Sequence, residues 1–131
     1  MRTFAGFLFC LSLAGGQAYA ACDADVLSIE EWSIRSNQDE ALELTLTLKS
    51  NLKKDIRMID ADFKFRDALG GHIAADTVNR DLAIPSGTAV TMTKRWPNTF
   101  ERLLKLNHDE VSTTTCVRSV LYEDGTKEEF R

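Results

Sequence analysis

Two aspartates, Asp60 and Asp62, are the residues whose spacing most directly suggests chemistry. Alternate residues of an extended strand lie on one face, about 7 Å apart, and the paired carboxylates of glycosidases are separated by similar distances. Lys64 and Arg66 continue the alternation, which is also typical of a charged, solvent-exposed face that keeps a sheet soluble. We therefore interpret Asp60, Asp62, Lys64 and Arg66 as a candidate polar binding face, with a catalytic carboxylate pair as the alternative.

The two histidines, His72 and His108, are the other candidate bases. The chain has no Gly-x-Ser-x-Gly nucleophile elbow, and a histidine next to Asp109 does not by itself supply the geometry of a catalytic triad. We interpret His108 as a loop residue and His72 as the start of a strand. The sequence thus predicts no catalytic residue. A small envelope enzyme or hydrolase accessory that uses an exposed carboxylate or histidine face is the alternative.

Cys22 and Cys116 are 94 positions apart (116 − 22). Redox-active cysteine pairs are usually close together, as in Cys-x-x-Cys, so we expect a structural disulfide between these two. The histidines are 36 positions apart (108 − 72), and Met58 and Met92 are the only methionines beyond the first. Such scattered ligands predict no metal site and no cofactor.

Residues 1–20 are typical of a secretory signal peptide. Arg2 provides a positive start, residues 4–14 are mostly apolar, and small residues precede a cleavage site after Ala20. The apolar run is too short to span a bilayer, so no stable membrane insertion is expected. Cleavage would also remove Cys10 and leave an even number of cysteines. The sequence therefore predicts a periplasmic or secreted protein.

The small residues before Cys22 allow a second interpretation of the cleavage site. Lipoprotein processing favours a sequence such as Ala20-Ala21-Cys22, although Tyr19 stands where such a signal usually has leucine. An acylated Cys22 could not pair with Cys116. A lipid-anchored envelope module is therefore an alternative that excludes the disulfide.

Residues 21–131 are expected to form a single domain. Removing the leader takes away one basic residue and no acidic one, which leaves a net charge of −5 (15 − 20). No basic run is longer than Lys53-Lys54, so nucleic acid and anionic lipid are poor candidates for partners. The expected partner is another exported protein, and the oligomeric state stays open.

Alternation with a period of two dominates this domain and predicts β-strands. Leucines alternate with Glu43, Thr45 and Thr47 across residues 42–48. The strand predicted over residues 26–35 changes phase at Glu30-Glu31, which indicates a β-bulge or a crossing between sheets. Further strands are predicted at residues 58–66, 72–78, 88–95, 111–122 and 127–130.

One short helical connection is predicted near residues 99–106, because Phe100, Leu103 and Leu104 recur at i, i+3 and i+4. Asn98 or Thr99 can cap it. Together these elements predict an all-β, immunoglobulin-like β-sandwich of about six or seven strands. In this fold the disulfide should fasten the N-terminal segment to the late strand at one end of the sandwich, and Trp32 and Trp96 should be core anchors.

A motif in residues 44–87 carries a family resemblance. Phe63, Phe65 and Asp67 are followed by Gly70 or Gly71, and then by a turn that contains Leu82, Pro85 and Gly87. This pattern resembles the FxLYD-type domain of bacterial exported proteins and covers roughly half of the predicted mature chain. The resemblance implies an immunoglobulin-like sandwich with no established catalytic site, and it transfers no functional residue.

The predicted last hairpin is a candidate interaction element, with Lys127, Glu128 and Phe130 as its residues. An outer strand at this position could pair with a partner's strand, whereas the charged run Lys127-Glu128-Glu129 is typical of edges protected against such pairing. The sequence as a whole predicts a non-enzymatic exported β-sandwich module that binds or supports another envelope protein or component.

Overall fold

The alternating leucines and phenylalanines build two antiparallel sheets that face each other across one apolar core. A computed structural model describes residues 22–37, 41–97 and 100–130, so the predicted signal peptide lies outside the described residues. The strands are β1 (Leu27–Ser36), β2 (Ala41–Ser50), β3 (Ile56–Asp67), β4 (His72–Thr77), β5 (Ala89–Pro97), β6 (Val111–Tyr122) and β7 (Lys127–Glu129). One sheet has the order β1-β2-β5 and the other β4-β3-β6-β7. Pairing between strands distant in sequence, as in β2 with β5 and β3 with β6, gives the predicted immunoglobulin-like sandwich.

Strand β2 shows why the sequence folds this way. Its four alternating leucines are at most 1% exposed, whereas the residues between them are half-buried on the opposite face. Strand β3 supplies the facing layer through Ile59, Ala61, Phe63 and Phe65, all of them buried. A period of two therefore places these alternating apolar side chains of both strands between the sheets.

An aromatic cluster fills one part of this core. Phe63 stacks on Trp96 with ring centroids 6.2 Å apart, and Phe65 meets Trp32 edge-on at 5.3 Å. Trp96 is buried, and its indole N–H donates a hydrogen bond of 2.7 Å to Asp76. Trp96 is thus the predicted core anchor, while Trp32 is only half-buried.

The phase change in β1 is a β-bulge. The register with β2 shifts between Ile29 and Glu31, which lie opposite Leu48 and Thr47. Strand β1 pairs with β2 on both sides of the shift, so the alternative of a crossing between sheets is wrong. The extra residue lets Ile29 and Trp32 both face the core despite their opposite parity.

The connection between β5 and β6 contains helix α1 (Arg102–Lys105) and a 3₁₀ helix (His108–Glu110). Leu103 is buried and Phe100 packs edge-on against Trp96 at 4.7 Å, but Leu104 is 40% exposed. Leu104 shares the helical spacing but not the burial of Leu103, because a single turn of helix buries only a narrow stripe. The caps proposed at Asn98 and Thr99 lie outside the described residues.

The turn between β3 and β4 depends on Asp67 and the two glycines. Asp67 Oδ1 accepts hydrogen bonds from the backbone N–H groups of Leu69 and Gly71 at 2.9 and 2.8 Å. Gly70 has a φ of 79°, which favours glycine. A Cβ atom on Gly71 would lie 2.7 Å from Asp67 Oδ2. The Gly70-Gly71 pair is therefore required for the tight return into β4.

Candidate functional site

The predicted binding face lies on the outer surface of the four-stranded sheet. Asp60, Asp62, Lys64 and Arg66 alternate along β3 with its buried residues, so all four share the face that points away from the core. The two aspartates are half-buried, and Lys64 and Arg66 are exposed. The face thus exists as a continuous row of two acidic side chains followed by two basic ones.

Arg118 of β6 lies between the two aspartates and contacts both. Its Nη2 atom is 2.7 Å from Asp60 Oδ1, and its Nη1 atom is 2.7 Å from Asp62 Oδ2. The register of β3 and β6 shifts at this point, so Arg118 is the extra residue of a bulge opposite Asp60 and Ala61. Sequence reasoning missed Arg118, because its closeness to the aspartates follows from strand pairing and from a bulge that no local pattern indicates.

These contacts favour the ionised form of Asp60. The hydrogen bonds from Arg118 lower the pKa of Asp60 despite partial desolvation, and Arg80 adds a weaker attraction at 3.9 Å. The same two carboxylates raise the pKa of Arg118. The general acid of a glycosidase needs a raised pKa, whereas the pKa of Asp60 is shifted in the opposite direction. The arrangement joins β3 to β6 through an ion cluster.

The substitution Arg118→Gln is expected to lower the free energy of unfolding by about 1–2 kcal/mol at pH 7, because it leaves two neighbouring carboxylates without their shared partner. The folded pKa of Asp60 lies below its ordinary value of 3.8. Its stabilising contribution is therefore present above that value and is lost as the pH falls through the folded pKa. Urea unfolding at pH 7 and at about pH 2.5 measures both effects.

The matched control is Arg57→Gln, which removes an exposed arginine from β3, the strand that contains the two aspartates. It should change stability by less than about 0.5 kcal/mol at either pH. If Arg118→Gln lowered the free energy of unfolding equally at the two pH values, the proposed role of ionised Asp60 would be contradicted.

Strand β7 is an edge strand, as the hairpin prediction requires. Lys127 and Glu129 lie beside Asp60 and Arg80 around a shallow depression of about 270 Å³, so the structure brings the predicted hairpin and the predicted binding face together. Other members of the hairpin point elsewhere: Glu128 accepts a hydrogen bond from the Tyr122 hydroxyl, and Phe130 packs against the core. Desolvation and Glu128 raise the pKa of Tyr122 to about 12.

The two histidines occupy different places. His72 is the exposed first residue of β4, as predicted, and it pairs with Arg66 in the ladder. His108 begins the 3₁₀ helix, where its ring meets Trp32 edge-on at 4.0 Å. His108 is thus not an isolated loop residue, because it covers an aromatic side chain at the margin of the core.

The disulfide joins Cys22 to Cys116. Cys116 lies opposite Asp62, so it belongs to the outer face of the four-stranded sheet and the bond does not cross the core. Next to it, Asp23 and Val117 exchange two backbone hydrogen bonds of 2.9 Å. The attachment is near the middle of β6, at its side edge, and not at one end of the sandwich as predicted. The reason is that β7 is short and pairs only with residues 119–121 of β6. The N-terminal segment pairs with β6 at the next position, Val117, before it turns into β1.

The same side of the sandwich contains an unpaired stretch of β6 that sequence reasoning missed. Strand β7 pairs only with residues 119–121, and Asp23 pairs with Val117. Since Val117 directs its N–H and C=O groups away from β3, Thr115 and Thr113 do so too. Within the described ranges these outward groups have no backbone partner. The signal available in the sequence was the unequal length of the predicted strands 111–122 and 127–130.

A groove runs beside this edge, between β6 and the overlying β1. It consists of two separate depressions: one of about 350 Å³ ends on β1 at Ile29, and the other is lined by the next three residues of β1 and by His108. We call their lining residues the β1–β6 groove: Ala24, Asp25, Leu27, Ser28, Ile29, Asn51, Thr113, Thr114 and Thr115, then Glu30, Glu31, Trp32 and His108. Ile29 and Trp32 are half-buried in it, so the groove offers apolar surface beside unpaired backbone groups.

Two further kinds of site were sought within the described ranges. No group of three or more histidine, cysteine, aspartate or glutamate side chains there could hold a metal ion. In the same part of the chain, no helix is long and apolar enough to cross a membrane.

The two facing antiparallel sheets and the Cys22–Cys116 bond place the chain in the class of disulfide-bonded, immunoglobulin-like β-sandwiches. No family model matches the chain, and no curated protein matches it significantly. Among solved structures, it is similar to the crystal structure of Campylobacter jejuni cj0090, with 22% identity over 66% of this chain and 82% of that one and a TM-score of 0.35. It is also similar to the X-ray structure of the Northeast Structural Genomics Consortium target SoR45, with 13% identity over 82% and 84% of the two chains and a TM-score of 0.39.

Proposed function

We propose that this chain is a non-enzymatic module that works outside the cytoplasm and binds another exported protein or an envelope component. The observation that carries the proposal is the β1–β6 groove, where the outward backbone groups of Thr113 and Thr115 lie beside half-buried Ile29 and Trp32. Unpaired strand edges recruit extended segments of other polypeptides. Exposed apolar surface next to such an edge gives the added segment something to bury.

Two features support the proposed location and the non-enzymatic role. A structural disulfide is typical of oxidising compartments outside the cytoplasm, in agreement with the signal peptide predicted for residues 1–20. The carboxylates most suited to catalysis, Asp60 and Asp62, are bound by Arg118. Because Cys22 is bonded to Cys116, the proposal does not include acylation of Cys22.

Site-specific photo-cross-linking in the organism that encodes the chain tests the proposal. A photoreactive residue at Ser28 in the groove should give a discrete cross-linked product with an envelope polypeptide, because the bound segment would lie against this position. The same residue at exposed Asp81, which lies outside the groove, is the matched control. No product at Ser28, or the same products at both positions, would overturn the proposed function.

A further inference from the structure

We propose that the β1–β6 groove takes an extended, lysine- or arginine-bearing segment of a partner polypeptide, which adds to β6 as a strand in line with β7. This inference rests on the proposed function and specifies the chemistry of the partner. Three observations carry it: the bounded stretch of open edge, the apolar floor beside it, and the unpaired acidic side chains along its rim.

The open edge has a definite length. At one end, the Asp23–Val117 hydrogen bonds close it. At the other end, the N–H of Val111 donates to the carbonyl of His108, so the outward donor of that residue is already used. Between these limits, half-buried Thr113 directs one N–H and one C=O group outward. Thr115 directs a second pair outward, but it is only 5% exposed and its hydroxyl donates to the carbonyl of Leu27. The segment that leads into β1 must therefore shift before an added strand of about five residues can satisfy both pairs.

The floor of the groove favours a segment with alternating side chains. Every second side chain of an added strand would point under β1, toward Ile29 and Trp32. Both are half-buried, and binding would bury more of their apolar surface away from water. The remaining side chains would share the outer face of the sheet with exposed Ser112 and Thr114. Only a strand in this position continues the line that β7 and Asp23 already follow.

The charge of the rim selects the partner. Asp25, Glu30 and Glu31 line the groove, and no lysine or arginine is among the residues that line its two depressions. Among the residues that the structure describes, the one polar contact of the Glu30 side chain is with the Ser28 hydroxyl at 3.5 Å. Lys49, which lies beside Glu30 and Glu31 on the outer face of the neighbouring strand, forms no ion pair with either within the described residues. The aspartates of β3, by contrast, are already paired with Arg118.

These unpaired acidic groups complement a cationic segment. Complementary charge at a rim steers an approaching partner and discriminates against partners of the wrong sign. An acidic segment would meet three like charges on one side of the groove. If the side chains that point under β1 are lysine or arginine, their apolar stems cover Ile29 and Trp32 while their charged ends reach Glu30 and Glu31 at the rim.

Binding of defined peptides to the oxidised, isotope-labelled protein tests the inference. The probes are seven-residue peptides that alternate threonine with lysine, or threonine with glutamate. The lysine peptide should shift the amide resonances of Thr113 and Thr115 and slow their hydrogen exchange, whereas the glutamate peptide should not. N-methylation of one alternate set of amides should abolish binding, and N-methylation of the other set should not, because a strand pairs through one edge at a time.

A pair of charge-matched variants separates the rim from the overall charge. Glu30→Lys/Glu31→Lys should weaken binding of the lysine peptide by about tenfold. Asp81→Lys/Glu123→Lys makes the same change in net charge at exposed positions outside the groove, and it should alter binding by less than about twofold. Equal weakening by both variants, binding of both N-methylated peptides, or shifts confined to other strands would overturn the inference.

The outcomes also separate this inference from the proposed function. If the Ser28 cross-link persists unchanged in Glu30→Lys/Glu31→Lys, the module binds its partner but not through basic side chains, and the inference fails alone. If the lysine peptide binds as expected while Ser28 gives no cross-link in cells, the proposed function fails alone. Concentration-dependent shifts of Thr113 and Thr115 without any peptide would identify a second copy as the occupant and overturn the proposed partner class.

Discussion

Removing both cysteines, as in Cys22→Ala/Cys116→Ala, is expected to lower the free energy of unfolding by about 4–5 kcal/mol. The bond joins residues 94 positions apart, and closing a loop of that size removes about this much entropy from the unfolded chain. Total stabilities of small domains are about 5–15 kcal/mol, so the variant should be marginal at 37 °C. Urea unfolding of the oxidised protein and the variant, with equal slopes, measures the difference.

The reduced wild-type protein is the control for this experiment. It should match the double-alanine variant to within about 1 kcal/mol, because both lack the cross-link while differing only in two small side chains. Hydrogen exchange at Val117 should also accelerate in both, since its N–H donates to Asp23. A stability loss below about 1 kcal/mol would show that the unfolded chain is already restrained without the bond, and it would contradict the expected result.

The substitution Phe65→Ala is expected to cost about 3–5 kcal/mol, the range for truncating a fully buried aromatic residue. Phe65 has no exposed surface, and its ring meets Trp32, Phe63 and Trp96 at 5.3, 5.9 and 6.1 Å. The cavity would remove the packing that holds these rings together. Urea unfolding gives the magnitude, and near-ultraviolet circular dichroism reports the loss of fixed tryptophan environments.

Two controls distinguish the cavity from general effects of substitution. Phe65→Leu keeps an apolar side chain in the site and should cost clearly less than Phe65→Ala. Leu69→Ala removes a leucine that is 97% exposed and should change stability by less than about 0.5 kcal/mol. Equal effects of Phe65→Ala and Leu69→Ala would contradict the central position of Phe65 in the core.

The sequence was most informative where burial follows a local rule. The uninterrupted alternation of leucines in β2 and the apolar parity of β3 predict strands and their buried faces correctly, because a period of two needs no knowledge of neighbours. The phase change at Glu30-Glu31 likewise located a bulge correctly. The distribution of cysteines predicted the disulfide, since two cysteines beyond the predicted signal peptide allow one pairing.

Features that depend on how strands meet could not be predicted. Arg118 reaches Asp60 and Asp62 only because β6 bulges beside β3. The disulfide lies at the side edge of β6 because the N-terminal segment occupies the line left by a short β7, and the β1–β6 groove exists for the same reason. Leu104 follows helical spacing but lies in a helix too short to bury it. The FxLYD resemblance and the exported location stay predictions.

The position of the two cysteines also determines the order of events during folding. Cys22 cannot find its partner until nearly the whole domain has been synthesised, because Cys116 follows it by 94 positions. Throughout that interval the Cys22 thiol stays unpaired. Once β6 forms, its edge would remain open as far as Val117 until the N-terminal segment is attached. Disulfide formation takes seconds to hours depending on the oxidant. The vulnerable species is therefore the reduced, nearly complete chain, in which intermolecular disulfides and strand pairing between copies compete with closure.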